Sequence, residues 1–134
     1  MRFVVCDVDG TVTLPGLCNS YTKLPWWCGL WLIFVPPNKR MVKLLRSWQE
    51  KGDIIIFISA RPKQLKGLTK LWFKIHRVAF NQLFLVGKGE GFEQRKLEII
   101  QELEIQGKKI GLFIDDNPGT VKFLQKLGIN ARLP

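Results

Sequence analysis

Phe3-Val4-Val5-Cys6-Asp7-Val8-Asp9-Gly10-Thr11 is a short apolar run that ends abruptly in two carboxylates, a glycine and a threonine. Apolar residues without polar alternation suit a strand covered on both faces, as in a parallel sheet. Four further runs have the same character, at residues 54–58, 83–86, 110–114 and 129–133. Helical periods separate them. Met41, Leu44, Leu45 and Trp48 fall at i, i+3, i+4, i+7, with Asn38 as a candidate N-cap and Gly52 as a stop. Leu65, Leu68, Trp72 and Ile75 follow Pro62, which suits a first helical turn; Leu97, Ile100 and Leu103 precede Gly107; Val121 and Leu124 lie between Pro118 and Gly128. Strands alternating with helices predict an α/β fold, a three-layer Rossmann-like parallel sheet of five strands.

Ligands of open parallel sheets bind beyond the carboxyl ends of the strands. The chemistry-bearing residues converge there. The first strand ends in Asp7-Val8-Asp9-Gly10-Thr11, the second in Ser59-Ala60-Arg61-Pro62, the fourth in Asp115-Asp116-Asn117-Pro118, and Lys96 opens the helix after the third. Carboxylates gathered in one cleft repel each other unless a cation sits among them, and hard oxygen donors favour Mg²⁺. Asp7 and Asp115 would bind it directly. Asp7 can then attack phosphorus, and Asp9 can protonate the leaving oxygen and later deprotonate water. Ser59 and Lys96 supply hydrogen bonds and charge to phosphoryl oxygens, and Gly10 permits the sharp turn. Each motif also has a plainer reading. Asp7 and Asp9 suit a solvated strand-end turn, Asp115 to Pro118 a helix N-cap, and Ser59 a cap near Pro62. Their coincidence at successive strand ends argues for a site.

These residues resemble the haloacid dehalogenase (HAD) superfamily. Asp7-Val8-Asp9-Gly10-Thr11 is similar to its first motif, Ser59 to its second, Lys96 to its third and Asp115-Asp116 to its fourth, in order along nearly the whole chain. The resemblance implies a HAD-like phosphatase fold with Mg²⁺ held by Asp7, the main-chain carbonyl of Asp9 and Asp115. Asp116 would contribute through water or by orienting Lys96. It implies Asp7, Asp9, Ser59 and Lys96 as the catalytic set, with Thr11, Ser59, Arg61 and Lys96 at the substrate. An acidic residue at position 9 is similar to the phosphatase and phosphomutase branches. Phe57-Ile58-Ser59-Ala60-Arg61, Thr69-Lys70-Leu71-Trp72, Arg95-Lys96 and the stretch from Val121 to Ile129 resemble the phosphatase domain of polynucleotide kinases, which removes 3′-phosphates from nucleic acid ends.

The 134 residues, 46% hydrophobic and 24% charged, predict one globular domain over 1–134. Lys+Arg number 21 against 11 Asp+Glu, and the resulting +10 favours anionic partners: a phosphorylated substrate, nucleic acid or an acidic membrane surface. Lys63, Lys66, Lys70, Lys74 and Arg77 step by three and four into a basic stripe beginning two residues after Arg61. Cys6, Cys18 and Cys28 are too few for a disulfide framework, no secretion signal is read at the N-terminus, and a cytoplasmic location is expected. Residues 14–37 exceed what a crossover needs and contain Trp26, Trp27, Trp31 and Phe34 without charges between them. They predict a minimal hydrophobic cap-like insert over the active-site end of the sheet, with a homodimer interface or a membrane contact as alternatives. Monomer and homodimer both remain open. The combined expectation is a Mg²⁺-dependent phosphomonoesterase acting through an aspartyl-phosphate, on nucleic acid 3′-ends or nucleotides. The alternatives are a phosphatase for a small sugar or metabolite phosphate, and a non-catalytic module that holds a phosphorylated ligand.

Overall fold

The structure, a computed structural model, describes residues 2–13, 35–87 and 91–134. In chain order its elements are β1 (Phe3–Cys6), α1 (Lys39–Glu50), β2 (Ile54–Ser59), a 3₁₀ turn (Lys63–Leu65), α2 (Lys66–Ile75), β3 (Gln82–Leu85), α3 (Phe92–Ile105), β4 (Ile110–Ile114), α4 (Pro118–Lys126) and β5 (Ala131–Arg132). The strands form one parallel sheet in the order β3-β2-β1-β4-β5. The chain winds from β1 outward through β2 to β3, then crosses to β4 and β5. The winding therefore reverses between β1 and β4, the place where doubly wound sheets open a crevice for ligands.

Two apolar layers sandwich the sheet. Val4, Cys6, Ile55, Phe57, Leu112 and Ile114 pack with Met41, Val42 and Leu45 of α1 and with Trp72 and Phe73 of α2. Val5, Ile56, Ile58 and Phe113 face the other way, against Leu97, Ile100 and Leu103 of α3 and Val121 and Leu124 of α4. This two-sided covering explains why β1, β2 and β4 are apolar almost throughout. Each such fully buried side chain contributes roughly 1.5–3 kcal/mol to folding. β3 lies at the sheet edge, and its burial alternates accordingly.

Several local details differ from the sequence expectations. β3 begins and ends one residue earlier, and β5 shrinks to Ala131–Arg132 at the other edge. Asn38 caps α1 as expected, its side chain accepting the Met41 amide at 3.3 Å. The cap of α4 is Asn117, which accepts the Gly119 amide at 2.9 Å. Lys96 does not open α3 but stands a full turn inside it. Pro62 precedes the 3₁₀ turn rather than starting a helix. The buried face of α2 is Thr69, Trp72 and Phe73, with Leu65 just ahead, whereas Ile75 is half exposed. The large Phe73 ring takes the core position that the Leu68–Ile75 period assigned elsewhere.

The 14–37 insert lies outside the described residues except for its last three, and Cys18, Cys28, Trp26, Trp27, Trp31 and Phe34 with it. Its two ends meet. Thr13 and Pro37 form an antiparallel bridge, the Asn38 amide donates to the Val12 carbonyl at 2.7 Å, and Trp72 Nε1 donates to the Val35 carbonyl at 2.9 Å. Among the described residues no helix is long and apolar enough to cross a membrane.

Candidate active site

β1 and β4 are adjacent, and their ends carry Asp7 and Asp115 side by side; the Asp7 amide donates to the Ile114 carbonyl at 2.9 Å. Both carboxylates are buried. Lys96 reaches them from α3, with Nζ 2.9 Å from Asp115 Oδ2 and 3.3 Å from Asp7 Oδ1. Lysine one turn inside α3 has the length to reach the strand ends, and it is the third-motif residue identified from sequence. The neighbouring Arg95 turns the other way and donates to the carbonyls of Val86 (3.0 Å) and Gly87 (2.9 Å). Lys88 lies outside the described residues.

Asp7, Asp115 and Asp116 present carboxylate oxygens within 4.8 Å of one another. Burial pushes the Asp7 carboxyl well above its usual range. Lys96 opposes this, but Asp115, Asp9 and Asp116 add to the rise. Asp116 is also raised, by partial burial and then by Asp115. Burial acts to lower the Lys96 ammonium, yet Asp7 and Asp115 outweigh it and the net shift is upward. Among the described residues one ammonium, on Asp7 and Asp115, thus stands beside a cluster of three carboxyl groups. Hard oxygen donors with uncompensated negative charge fit Mg²⁺. Close approach of the first turn is part of the same arrangement. Gly10 has φ +77, and a Cβ there would overlap the Asp116 carboxylate, so only glycine serves.

Asp9 is held separately. Arg61 grips it with Nε 3.0 Å from Oδ2 and Nη2 2.6 Å from Oδ1. The guanidinium is fully buried, and its Nη1 donates to Thr69 Oγ1 on α2 at 3.0 Å. Arg61, expected at the substrate, thus directs its fork at Asp9. Ser59 is buried at the end of β2 and accepts the Arg61 amide at 3.2 Å, so it forms a local turn rather than a helix cap. Thr11 is buried, and its hydroxyl has no partner among the described residues. Its carbonyl accepts Asn38 Nδ2 at 3.2 Å, and Thr13 Oγ1 accepts the Gly10 amide at 2.9 Å. These contacts pin the turn that carries both carboxylates. Thr69 entered the sequence reading only as part of a resembling stretch, without a role of its own, and Thr13 not at all. A hydroxyl one turn after Leu65 on a buried helix face was the available sign for Thr69.

No family model matches the sequence, and no curated protein is detectably similar to it. Solved structures are. A chain of the Pnkp1/Rnl/Hen1 RNA repair complex superposes with a TM-score of 0.78 at 20% identity, over 99% of this chain and 42% of that one. D,D-heptose 1.7-bisphosphate phosphatase from B. bronchiseptica, complexed with magnesium and phosphate, gives 0.71 at 9% identity over 99% and 80%. The HAD domain of the effector protein Lem4 from Legionella pneumophila gives 0.61 at 14% identity over 99% and 84%. The chain has the HAD fold. It spans less than half the length of the repair-complex chain it matches. The likeness to HAD phosphatases drawn from the four motifs therefore holds at the level of the fold. Of the residues expected from sequence, Asp7 and Asp115 each meet Lys96, Asp116 has a carboxylate oxygen within 4.8 Å of theirs, and Asp9 is held by Arg61.

Proposed function

We propose that residues 1–134 form a Mg²⁺-dependent phosphomonoesterase that works through a phosphorylated Asp7. The observation that carries this reading is the Lys96 ammonium set between Asp7 and Asp115 at the switch point of the sheet, with Asp9 held two residues from Asp7. Asp7 Oδ attacks phosphorus, and the bond to the leaving oxygen breaks as Asp9 gives that oxygen a proton. Asp9 then takes a proton from water, which attacks the acyl phosphate and releases phosphate, restoring Asp7. Lys96 and the Ser59 hydroxyl hold phosphoryl oxygens. Asp7, Asp115 and Asp116, with the Asp9 carbonyl, would hold Mg²⁺. When bound, the ion neutralises phosphate charge and lets the two anions approach.

For the substrate, the +10 charge and the exposed stripe of Lys63, Lys66, Lys70, Lys74 and Arg77 favour a nucleic acid end or a nucleotide. The likeness to a chain of an RNA repair complex supports the same class. The likeness to a heptose bisphosphate phosphatase favours a small sugar phosphate as the second reading. A panel of phosphomonoesters with 3′- and 5′-phosphorylated oligonucleotides separates them. Lys66→Glu with Lys70→Glu should weaken turnover of oligonucleotides and spare p-nitrophenyl phosphate. Equal effects on both, or no oligonucleotide turnover, would select the small sugar phosphate. Hydrolysis that persists unchanged in excess EDTA would reject the metal role.

A further inference from the structure

Arg61 carries its charge in a place with no exposure to solvent, between Asp9 on one side and Thr69 on the other. A buried guanidinium is stable only where its N–H groups meet acceptors. Thr69 meets one of them with a fixed direction. Its hydroxyl donates to the Leu65 carbonyl at 2.8 Å, one helical turn back, so a lone pair is left to face Arg61 Nη1 at 3.0 Å. The Nε–Nη2 edge of the guanidinium then points both of its donors at the Asp9 carboxylate. Planar, bidentate contacts of this kind set orientation as well as energy. Rotating Arg61 away from Asp9 would take Nη1 off Thr69.

We propose that Thr69 is a positioning residue for the acid–base carboxylate: acting through Arg61, it fixes the direction in which Asp9 faces the leaving oxygen. The inference rests on the proposed role of Asp9. It makes α2, which carries no residue of the four motifs, part of the machinery for proton transfer. A merely structural Thr69 would lower the rate with every ester alike. A positioning Thr69 matters only where the leaving oxygen needs a proton.

The test is a series of phosphomonoesters from p-nitrophenyl phosphate to alkyl phosphates, with Thr69→Val, Thr69→Ser and Asp9→Asn. Thr69→Val should lower kcat/KM for alkyl esters by roughly 10–10²-fold and for p-nitrophenyl phosphate by about threefold or less, since its phenolate leaves unaided. Thr69→Ser should restore the wild-type dependence, and Thr69→Val should add little to the alkyl-ester loss in an Asp9→Asn background. Thr69→Ala serves the same comparison should the valine variant not fold. Equal losses across the series, or full additivity with Asp9→Asn, would overturn the inference and leave the phosphatase reading standing. A wild type that hydrolyses none of the esters would reject that reading, and the inference with it.

Discussion

Asp7 and Asp9 stand two residues apart in one turn and are held by opposite means. Asp7 is buried against an ammonium that it shares with Asp115, at 3.3 Å and 2.9 Å from the two carboxylates. An ammonium is a compact charge on a flexible stem and imposes no plane on its partner. Asp9 is more open to solvent, and a rigid guanidinium takes both of its oxygens. The first arrangement balances charge and leaves the carboxylate oxygen able to form a bond. The second fixes direction. On the proposed mechanism these are the needs of a nucleophile and of a proton carrier, and the chain meets them with a lysine from α3 and an arginine from the end of β2.

The largest effect expected from this contrast falls on Asp7. Asp7→Asn should reduce hydrolysis to the background rate while phosphate binding in the presence of Mg²⁺ persists in part. Near-wild-type turnover would end the case for a phosphorylated aspartate. Asp9→Asn should cost roughly 10²–10⁴-fold in both formation and breakdown of the intermediate. A phosphorylated protein that this variant hydrolyses at the normal rate would remove Asp9 as the base and dissolve the division of labour.

Smaller effects separate the metal-facing groups. Asp115 is buried against Lys96, while the Asp116 residue as a whole is open to solvent and only its carboxyl group is partly desolvated. Asp115→Asn should therefore weaken Mg²⁺ more than Asp116→Asn does, and the reverse order in a calorimetric titration would exchange their places. The smallest effect concerns pH. Asp7, raised by burial, and Asp116, raised by burial and by Asp115, favour their protonated forms in the folded state. That contribution to stability is full below the ordinary carboxylate range and is lost as pH rises through the raised values. A divalent cation binds the ionised groups. Mg²⁺ should thus raise the melting temperature more at about pH 8 than at about pH 5. Equal shifts at the two pH values would mean that these carboxyl groups are not the ones the metal meets.

The strand ends were legible in the sequence because parallel strands are apolar until they stop, and Asp7, Ser59 and Asp115 mark the stops. Lys96 was legible by motif, although its place one turn inside α3 was not. The face of α2 was misjudged because two helical periods compete there. Leu65, Leu68, Trp72 and Ile75 have the more uniform apolar character. The structure takes Thr69, Trp72 and Phe73, which bury two aromatic rings and bring a hydroxyl to Arg61. That choice depends on the position of a guanidinium from another element, which no local period records. β5 keeps only Ala131–Arg132 in the ladder, whereas β3 at the opposite edge keeps four residues, and nothing in the structure explains that difference.

The bridge between Thr13 and Pro37 has a consequence for how such a chain can change over time. The backbone leaves the sheet and rejoins it through two neighbouring residues, secured by Asn38 to Val12 and Thr11. Doubling the length of a flexible closed loop costs only about 0.6 kcal/mol. Insertions or deletions between Thr13 and Val35, whose carbonyl Trp72 holds, should leave the strand register and the carboxylates where they are. The fastened neck makes the span between residues 13 and 37 a socket for variation, one whose length and sequence can drift while the strands on either side of it keep their places.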